Sequence, residues 1–319
     1  MRARHGYDPP MPPTPLSADE YVEQRHFFAT LRERLADGVA TQDALIQVRE
    51  ELLATTRLPL AVGLMADELR QTGRIGPAFA RLGHYFTPFQ AFLVERAERD
   101  RTKFDGTTAF QVMQHLAGYM AGDLPDSRRV HRDAEAPTRR GLFFYQFETL
   151  ARNRLGYDAG LRAMAADPFY DEPWRSWLGT VRRVIGEVDL ADLVFRRSEW
   201  FLTLKRRARG EDATVPHELL FGESEGRIAD ANRGRDPLHL FAALQRQLGY
   251  PEVPRQQASE RKAEIPPAVE ARLHKLEQRI RFLEAEGKGG LDLKALAARP
   301  DRPTFTDDPG LPPGLLPPP

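Results

Sequence analysis

Over the first 121 positions the apolar residues come in short runs spaced three and four apart. Each run closes on a glycine or a proline, the pattern of short amphipathic helices packed together. The first run carries Tyr21, Phe28, Leu31 and Leu35 and stops at Gly38; Ser17 with Glu20 reads as a capping box at its start. A second helix is predicted from Thr41, with Leu45, Val48, Leu52 and Leu53 on its apolar side. A third spans 59–72 and ends at Gly73, and a short fourth runs from Gly76-Pro77 to Gly83. Thr87-Pro88-Phe89-Gln90 is another capping box, with proline at the first helical position, where its missing N–H costs nothing. The fifth helix so opened carries Phe89, Phe92, Leu93 and Ala97. A sixth, over 107–121, carries Phe110, Met113, Leu116, Ala117 and Met120. The stretch from Gly73 to Tyr119 reads as a packing module, a surface on which other proteins sit, and not as a pocket.

Residues 122–138 are polar and contain two prolines, the composition of a linker. A second, mainly helical domain is expected over 139–254, opened by an apolar helix at 141–155 with Phe143, Phe144, Tyr145, Phe147 and Leu150. Asp167-Pro168 and Asp236-Pro237 both read as an N-cap followed by a first-turn proline. Between them the pattern predicts a helix at 174–185, leaves strand or helix open at 190–204, and gives a charged loop at 205–214. A last helix at 237–248 ends at Gly249, and Trp174, Trp177 and Trp200 are expected to anchor this core. Residues 1–16 and the proline-dense 287–319 are expected to be disordered, with a hinge at 255–266. The fold class is all-α: a compact six-helix bundle over 17–121, a second mainly helical domain, and a C-terminal helix over 267–286.

That C-terminal helix holds a heptad seam. Val269, Leu273, Leu276, Ile280 and Leu283 are spaced 4, 3, 4, 3. With Leu273 and Ile280 at heptad position a, the other three fall at d, which suits a parallel dimer. Arg272 and Arg279 then sit at g, and Glu277 and Glu284 at e, so each arginine meets a glutamate of the second copy. At under three heptads the seam is marginal by itself, and the competing reading is a helix lying on its own chain.

Composition narrows the chemistry. The 319 residues suffice for about two ordinary domains, and 41% of them are hydrophobic, enough for a core in each. Lysine plus arginine and aspartate plus glutamate number 46 each, a zero net charge that argues against bulk attraction to nucleic acid or anionic lipid. Mean hydropathy is −0.51. No cysteine is present, which excludes disulfides, thiolate catalysis and cysteine-based metal sites. The N-terminus lacks an apolar core of signal-peptide type, and the longest apolar run, 58–66, is far short of a span. A cytoplasmic protein without membrane insertion is expected.

Each catalytic pattern is incomplete. Gly222-Glu223-Ser224-Glu225-Gly226 matches the nucleophile-elbow spacing, and Asp236 and His239 follow in the right order. No strand–helix alternation precedes it, however, and two glutamates flank the serine. His217-Glu218 lacks the second histidine of a zinc helix, Phe221 standing in its place. Glu23 and His26 have a diiron spacing, but the companion glutamates are missing. Gly287-Lys288 lacks the rest of a phosphate loop. No cofactor or metal is expected. Arginine clusters at 128–132, 139–140, 196–197 and 205–209 give a nucleic-acid reading, set against solvated charge offset by Asp126, Asp133, Glu211 and Asp212. An enzyme reading would centre on Asp167, Tyr170, Asp171, Glu172 and Trp174.

Several packing residues in 27–121 carry a resemblance. They are Leu31 through Gly38-Val39, Leu58-Pro59-Leu60, Gly73-Arg74-Ile75-Gly76-Pro77-Ala78-Phe79, Phe86-Thr87-Pro88-Phe89, and Asp105-Gly106 with the helix to Tyr119. The pattern resembles the cytoplasmic helical F-type domain of the inner-membrane platform proteins of type II secretion and type IV pili. That family follows the domain with transmembrane helices and repeats it, and neither feature is read in this sequence. The resemblance implies a helical fold and an assembly role. The expectation is therefore a non-catalytic scaffold or adaptor with protein partners and homodimerisation through the C-terminal helix.

Overall fold

The computed structural model describes residues 15–99, 104–122 and 138–255. The chain divides into two units, Met1–Gln257 and Ala258–Pro319, and every described residue belongs to the first. Among the described residues there are thirteen helices and no strand, so the chain is all-α.

The first six helices follow the apolar spacing. They are α1 (Ala18–Ala36), α2 (Thr41–Glu51), α3 (Leu58–Thr72), α4 (Gly76–Arg81), α5 (Pro88–Arg99) and α6 (Gly106–Met120). Gly73 ends α3 at φ 71°, a left-handed conformation that favours glycine, and its N–H donates to the Leu69 carbonyl. The capping box at α5 forms: the Thr87 N–H donates to Gln90 Oε1 at 2.9 Å, and the Gln90 N–H to Thr87 Oγ1 at 3.3 Å. The one expected at Ser17 does not, since Ser17 makes no side-chain cap. Glu20 turns inward and accepts from the Arg57 N–H, Arg57 Nε and the Tyr85 hydroxyl. Three donors around a buried carboxylate outweigh one exposed backbone N–H.

The remaining helices are α7 (Arg139–Arg152), α8 (Tyr157–Ala165), α9 (Glu172–Val184), α10 (Leu190–Arg196), α11 (Glu199–Arg209), α12 (Glu223–Ala231) and α13 (Pro237–Leu248). Every residue of α7 from Gly141 to Leu150 is buried, the signature of a helix surrounded by others. Tyr145 at its centre donates to the Val112 carbonyl of α6 at 2.8 Å. One hydrophobic cluster accordingly runs from Phe27 to Val253. The polar stretch at 122–138, expected to separate a first domain from a second, does not divide the core.

Two local expectations are corrected, and one stretch left open is resolved. Asp167 caps no helix; it accepts from the Phe169 N–H within a turn, and Asp171 is the N-cap of α9, accepting from Trp174 N–H. The open stretch 190–204 is two helices broken at Ser198, whose hydroxyl accepts from the Phe201 N–H and starts α11. The charged segment from Lys205 to Arg209, expected as loop, is the end of α11. There the basic residues face the negative end of the helix dipole. Leu219–Phe221 contributes only an isolated bridge from Phe221 to Ser198. Trp174 and Trp177 are buried and pack on Phe143 at 5.7 and 4.9 Å. Trp200 lies at the core's edge, with the guanidinium groups of Arg207 and Arg227 over its ring at 5.5 and 4.6 Å.

Candidate protein-binding groove

A groove of about 690 Å³ opens where α4 and α5 meet α8. Phe79, Phe86 and Phe92 underlie it as buried core residues, with the first two rings stacked 4.2 Å apart. The walls are small residues: Gly76, Ala80, Gly83 and Ala91 on one side, Ala159 and Ala163 on the other. Arg74, Glu95 and Arg162 bring charge to its lining. Arg74 is held by Glu98 at 3.1 Å and Arg162 by Asp158 at 2.8 Å. Polar groups that fix a small ligand's orientation are scarce there. The one hydroxyl in the lining, Thr87 Oγ1, is occupied by the Gln90 N–H.

Two contacts fix the walls. Glu98 of α5 accepts from the backbone N–H groups of Ile75 at 2.6 Å and Gly76 at 3.1 Å. A carboxylate from one helix thereby caps the start of another, favoured by the partial positive charge there. It also explains the glycine, because a Cβ on Gly76 would lie 2.7 Å from Glu98 Oε2. On the other wall, Gly160 lets α8 sit on α7: a Cβ there would meet Leu150 Cδ2 at 2.4 Å. Tyr157 stacks on Phe147 at 5.4 Å beside it.

Behind the groove lies a buried polar seam. Asp167 is buried and accepts from Gln146 Nε2 at 3.2 Å and the Phe169 N–H at 3.1 Å. The Tyr170 hydroxyl donates to Gln146 Oε1 at 2.9 Å, and Gln90 Nε2 to Gln24 Oε1 at 2.9 Å. A cavity of about 10 Å³ lies among Tyr21, Thr87, Gln90 and Asp167, room for one water. Elsewhere Glu148 accepts from the Tyr250 hydroxyl at 2.8 Å and pairs with Arg152.

The residues of the enzyme reading do not share a cleft. Asp167 and Tyr170 point inward, Asp171 caps α9 and pairs with Arg139 at 3.0 Å, Glu172 is exposed, and Trp174 is core. Ser224 is exposed on the first turn of α12, with no elbow beneath it. The two glycines of its motif serve packing: a Cβ on Gly226 would lie 2.3 Å from Ser198 Oγ, and the Gly222 N–H donates to Glu225. Asp236 caps α13 through the Leu238 N–H, and His239 is exposed. Glu23 accepts from the Leu53 N–H, while its motif partner His26 faces solvent. Among the described residues no three His, Cys, Asp or Glu side chains gather as metal ligands.

Many described arginines of the basic clusters are engaged within the chain. Arg140 donates to the Leu220 carbonyl and pairs with Glu225, Arg196 pairs with Asp192, and Arg206 donates to the Ala213 carbonyl. Arg128, Arg129 and Arg132 lie outside the described residues, as does the seam Val269, Leu273, Leu276, Ile280 and Leu283 with Arg272, Glu277, Arg279 and Glu284.

No described helix is long and apolar enough to cross a membrane. No protein-family model matches the chain, and neither a curated protein nor a solved structure matches it. What it does must be argued from its own geometry. The groove was missed in the sequence because its lining joins two segments about seventy residues apart. The signal that was present, small residues at Gly76, Ala80, Gly83 and Ala91, reads equally as tight helix packing.

Proposed function

We propose that this protein is a non-catalytic scaffold or adaptor, acting in the cytoplasm, which seats a helical segment of a partner protein in the α4–α5–α8 groove. The observation that carries the reading is the groove's combination of small apolar residues along its length and charged side chains at Arg74, Glu95 and Arg162. An α-helix is about 10 Å across with its side chains, and small walls let its backbone come close while its apolar stripe covers the alanines and prolines of the lining. A small ligand would instead call for a few fixed polar groups aimed at it. Two copies joined through the C-terminal seam would engage two partner sites at once and gain avidity. An assembly role of this kind is what the resemblance of the first helices to secretion and pilus platform domains implies.

The test is photo-crosslinking from a probe residue placed at Ala159, in the presence and absence of Ala163→Arg. Both alanines line the groove. The expected result is a crosslinked partner protein, mapped to a helical segment, that disappears with the arginine. A control substitution at exposed Leu238 on α13 should leave it in place. A crosslink indifferent to Ala163→Arg, or none at all, refutes the reading.

A further inference from the structure

The outward face of α3 carries a stripe that is charged at both ends and apolar between. Leu60 and Leu64 are 76% and 54% exposed, the former the most exposed large hydrophobic among the described residues. Arg57 precedes Leu60 by three residues, Asp67 follows Leu64 by three, and both are exposed. At 3.6 residues per turn the four positions fall within about a quarter of the helix circumference. Arg57 is the N-cap and keeps a right-handed helical conformation (φ −83°, ψ −9°), so its position continues the stripe. None of the four residues lines the groove. We propose that this stripe is a contact between two copies of the chain, with their α3 helices packed antiparallel about a twofold axis.

The register follows from the spacing. Leu60 and Leu64 lie two residues either side of Val62, and Arg57 and Asp67 lie five either side of it. A twofold axis at the level of Val62 therefore sets Leu60 against the partner's Leu64 and Arg57 against the partner's Asp67, each pair formed twice. In a parallel pair like positions would meet, arginine on arginine and aspartate on aspartate, with repulsion at both ends. A foreign partner would have to supply an acid, two apolar residues and a base at this same spacing, run in reverse. A second copy supplies them from its own sequence.

The surroundings leave the stripe available. The inner face of α3 is filled by Leu58, Ala61, Val62, Met65 and Ala66, all buried, so the outer leucines take no part in its own core. Glu20 accepts from Arg57 Nε at 3.2 Å and anchors the root of that side chain, which is still 59% exposed. Asp67 pairs with Arg70 at 3.4 Å and is equally exposed. Arg49 of α2 reaches the flank of the stripe, its Nη1 3.4 Å from where a Cβ on Gly63 would lie, and its charge is offset by Glu50 at 3.4 Å. Four leucines and two exposed ion pairs make a small contact beside the roughly 1,000 Å² that a stable interface clears. It joins copies transiently unless another joint holds them together.

The chain has no cysteine, so an introduced thiol reports its own position alone. Full-length Leu60→Cys and Leu64→Cys chains, carrying tags of different length, are equilibrated together at high micromolar concentration and mildly oxidised. The mixed disulfide should form several-fold faster than either like-with-like disulfide, because like positions are offset by about 6 Å along antiparallel axes. It should also outpace the disulfide of Leu238→Cys, an exposed position on α13. Asp67→Lys in both chains sets a cation against Arg57 and should slow the mixed disulfide by about three- to tenfold. All the substituted positions are exposed, and circular dichroism matching the parent checks that each chain is folded. Equal rates for mixed and like pairs, a preference for like pairs, or rates no faster than the Leu238→Cys control overturn the proposal. A mixed disulfide indifferent to Asp67→Lys overturns it as well. None of these measurements depends on what the groove binds.

Discussion

Removing the Glu20 carboxylate should be among the most damaging single changes to the first helices. Glu20 lies on α1 and is 7% exposed, yet it accepts from two separate places. Oε1 takes the Arg57 N–H at 3.0 Å and Arg57 Nε at 3.2 Å, and Oε2 takes the Tyr85 hydroxyl at 2.7 Å. These contacts tie α1 to the start of α3 and to the turn before α5. In Glu20→Ala the Arg57 backbone N–H and the buried Tyr85 hydroxyl both lose their acceptor. Hydrogen bonds to a charged group contribute about 1.5–3 kcal/mol each, so the expected loss is about 3–5 kcal/mol. The guanidinium of Arg57 adds little, because its side chain is 59% exposed and its charge is screened by water. Tyr85→Phe should lose about 1–2 kcal/mol, and the double variant less than the sum, since the two share one bond.

The acid limb gives an independent check. Burial raises the Glu20 pKa, but the Arg57 N–H, the Tyr85 hydroxyl and the Arg57 side chain outweigh it, so the net shift is downward from 4.5. A lowered folded value means the stabilisation is present above the ordinary glutamate range and is lost as pH falls through the folded value. Glu20→Ala should therefore flatten the acid limb. Urea unfolding followed by tryptophan fluorescence, from pH 7 down to pH 3, measures both quantities. A loss under about 1 kcal/mol, or an unchanged acid limb, would show that the network does not hold these helices together.

Two further outcomes are expected. Gly226→Ala places a Cβ 2.3 Å from Ser198 Oγ and 2.6 Å from Trp200 Cβ, forcing α12 off α11 and costing about 1–3 kcal/mol in urea titrations; unchanged stability would mean the helices separate freely. Sedimentation of the full-length chain should give a dimer that Leu276→Lys with Leu283→Lys converts to monomer, and a monomeric parent ends the zipper proposal.

The helices were legible wherever the chain punctuates itself. Gly38, Gly73 and Gly249 stand at or just past helix ends, and Thr87-Pro88 and Asp236-Pro237 start helices as their residue types require. Local signals failed where a tertiary partner overrode them. Ser17 and Glu20 have the spacing of a capping box, but a box can be read only if its glutamate is free, and Arg57 and Tyr85 claim this one. Asp167-Pro168 has the composition of a helix start, yet the α9 cap falls four residues later at Asp171. The single core was invisible for a related reason. A polar stretch reports that the chain leaves the surface of one helix, and says nothing about whether the helices on either side keep an apolar face for each other. The clue lay in α7, where Phe143, Phe144, Tyr145 and Phe147 exceed what one face can hold. A helix apolar on all sides must be covered on all sides, and α6 supplies some of that cover through Val112.

The candidate site follows from the same merger. Had the two helical segments folded apart, α8 would have no α5 beside it and Asp167 would have met water, where a carboxylate is comfortable. Packing them together creates an apolar trough between their surfaces and traps a carboxyl just behind it, with Thr87 and the Ala166–Asp167 step standing between the two. The trough by itself is a feature of helix packing, and the trapped carboxyl by itself is a stability cost. Apolar substitution at position 167 removes that buried charge and should stabilise the chain at neutral pH. If Asp167→Leu proves less stable than the parent at pH 7.5, the carboxylate is sustained by its hydrogen bonds from Gln146, Thr87 and Phe169 N–H, and the donors left unpaired by leucine outweigh the relief of the buried charge.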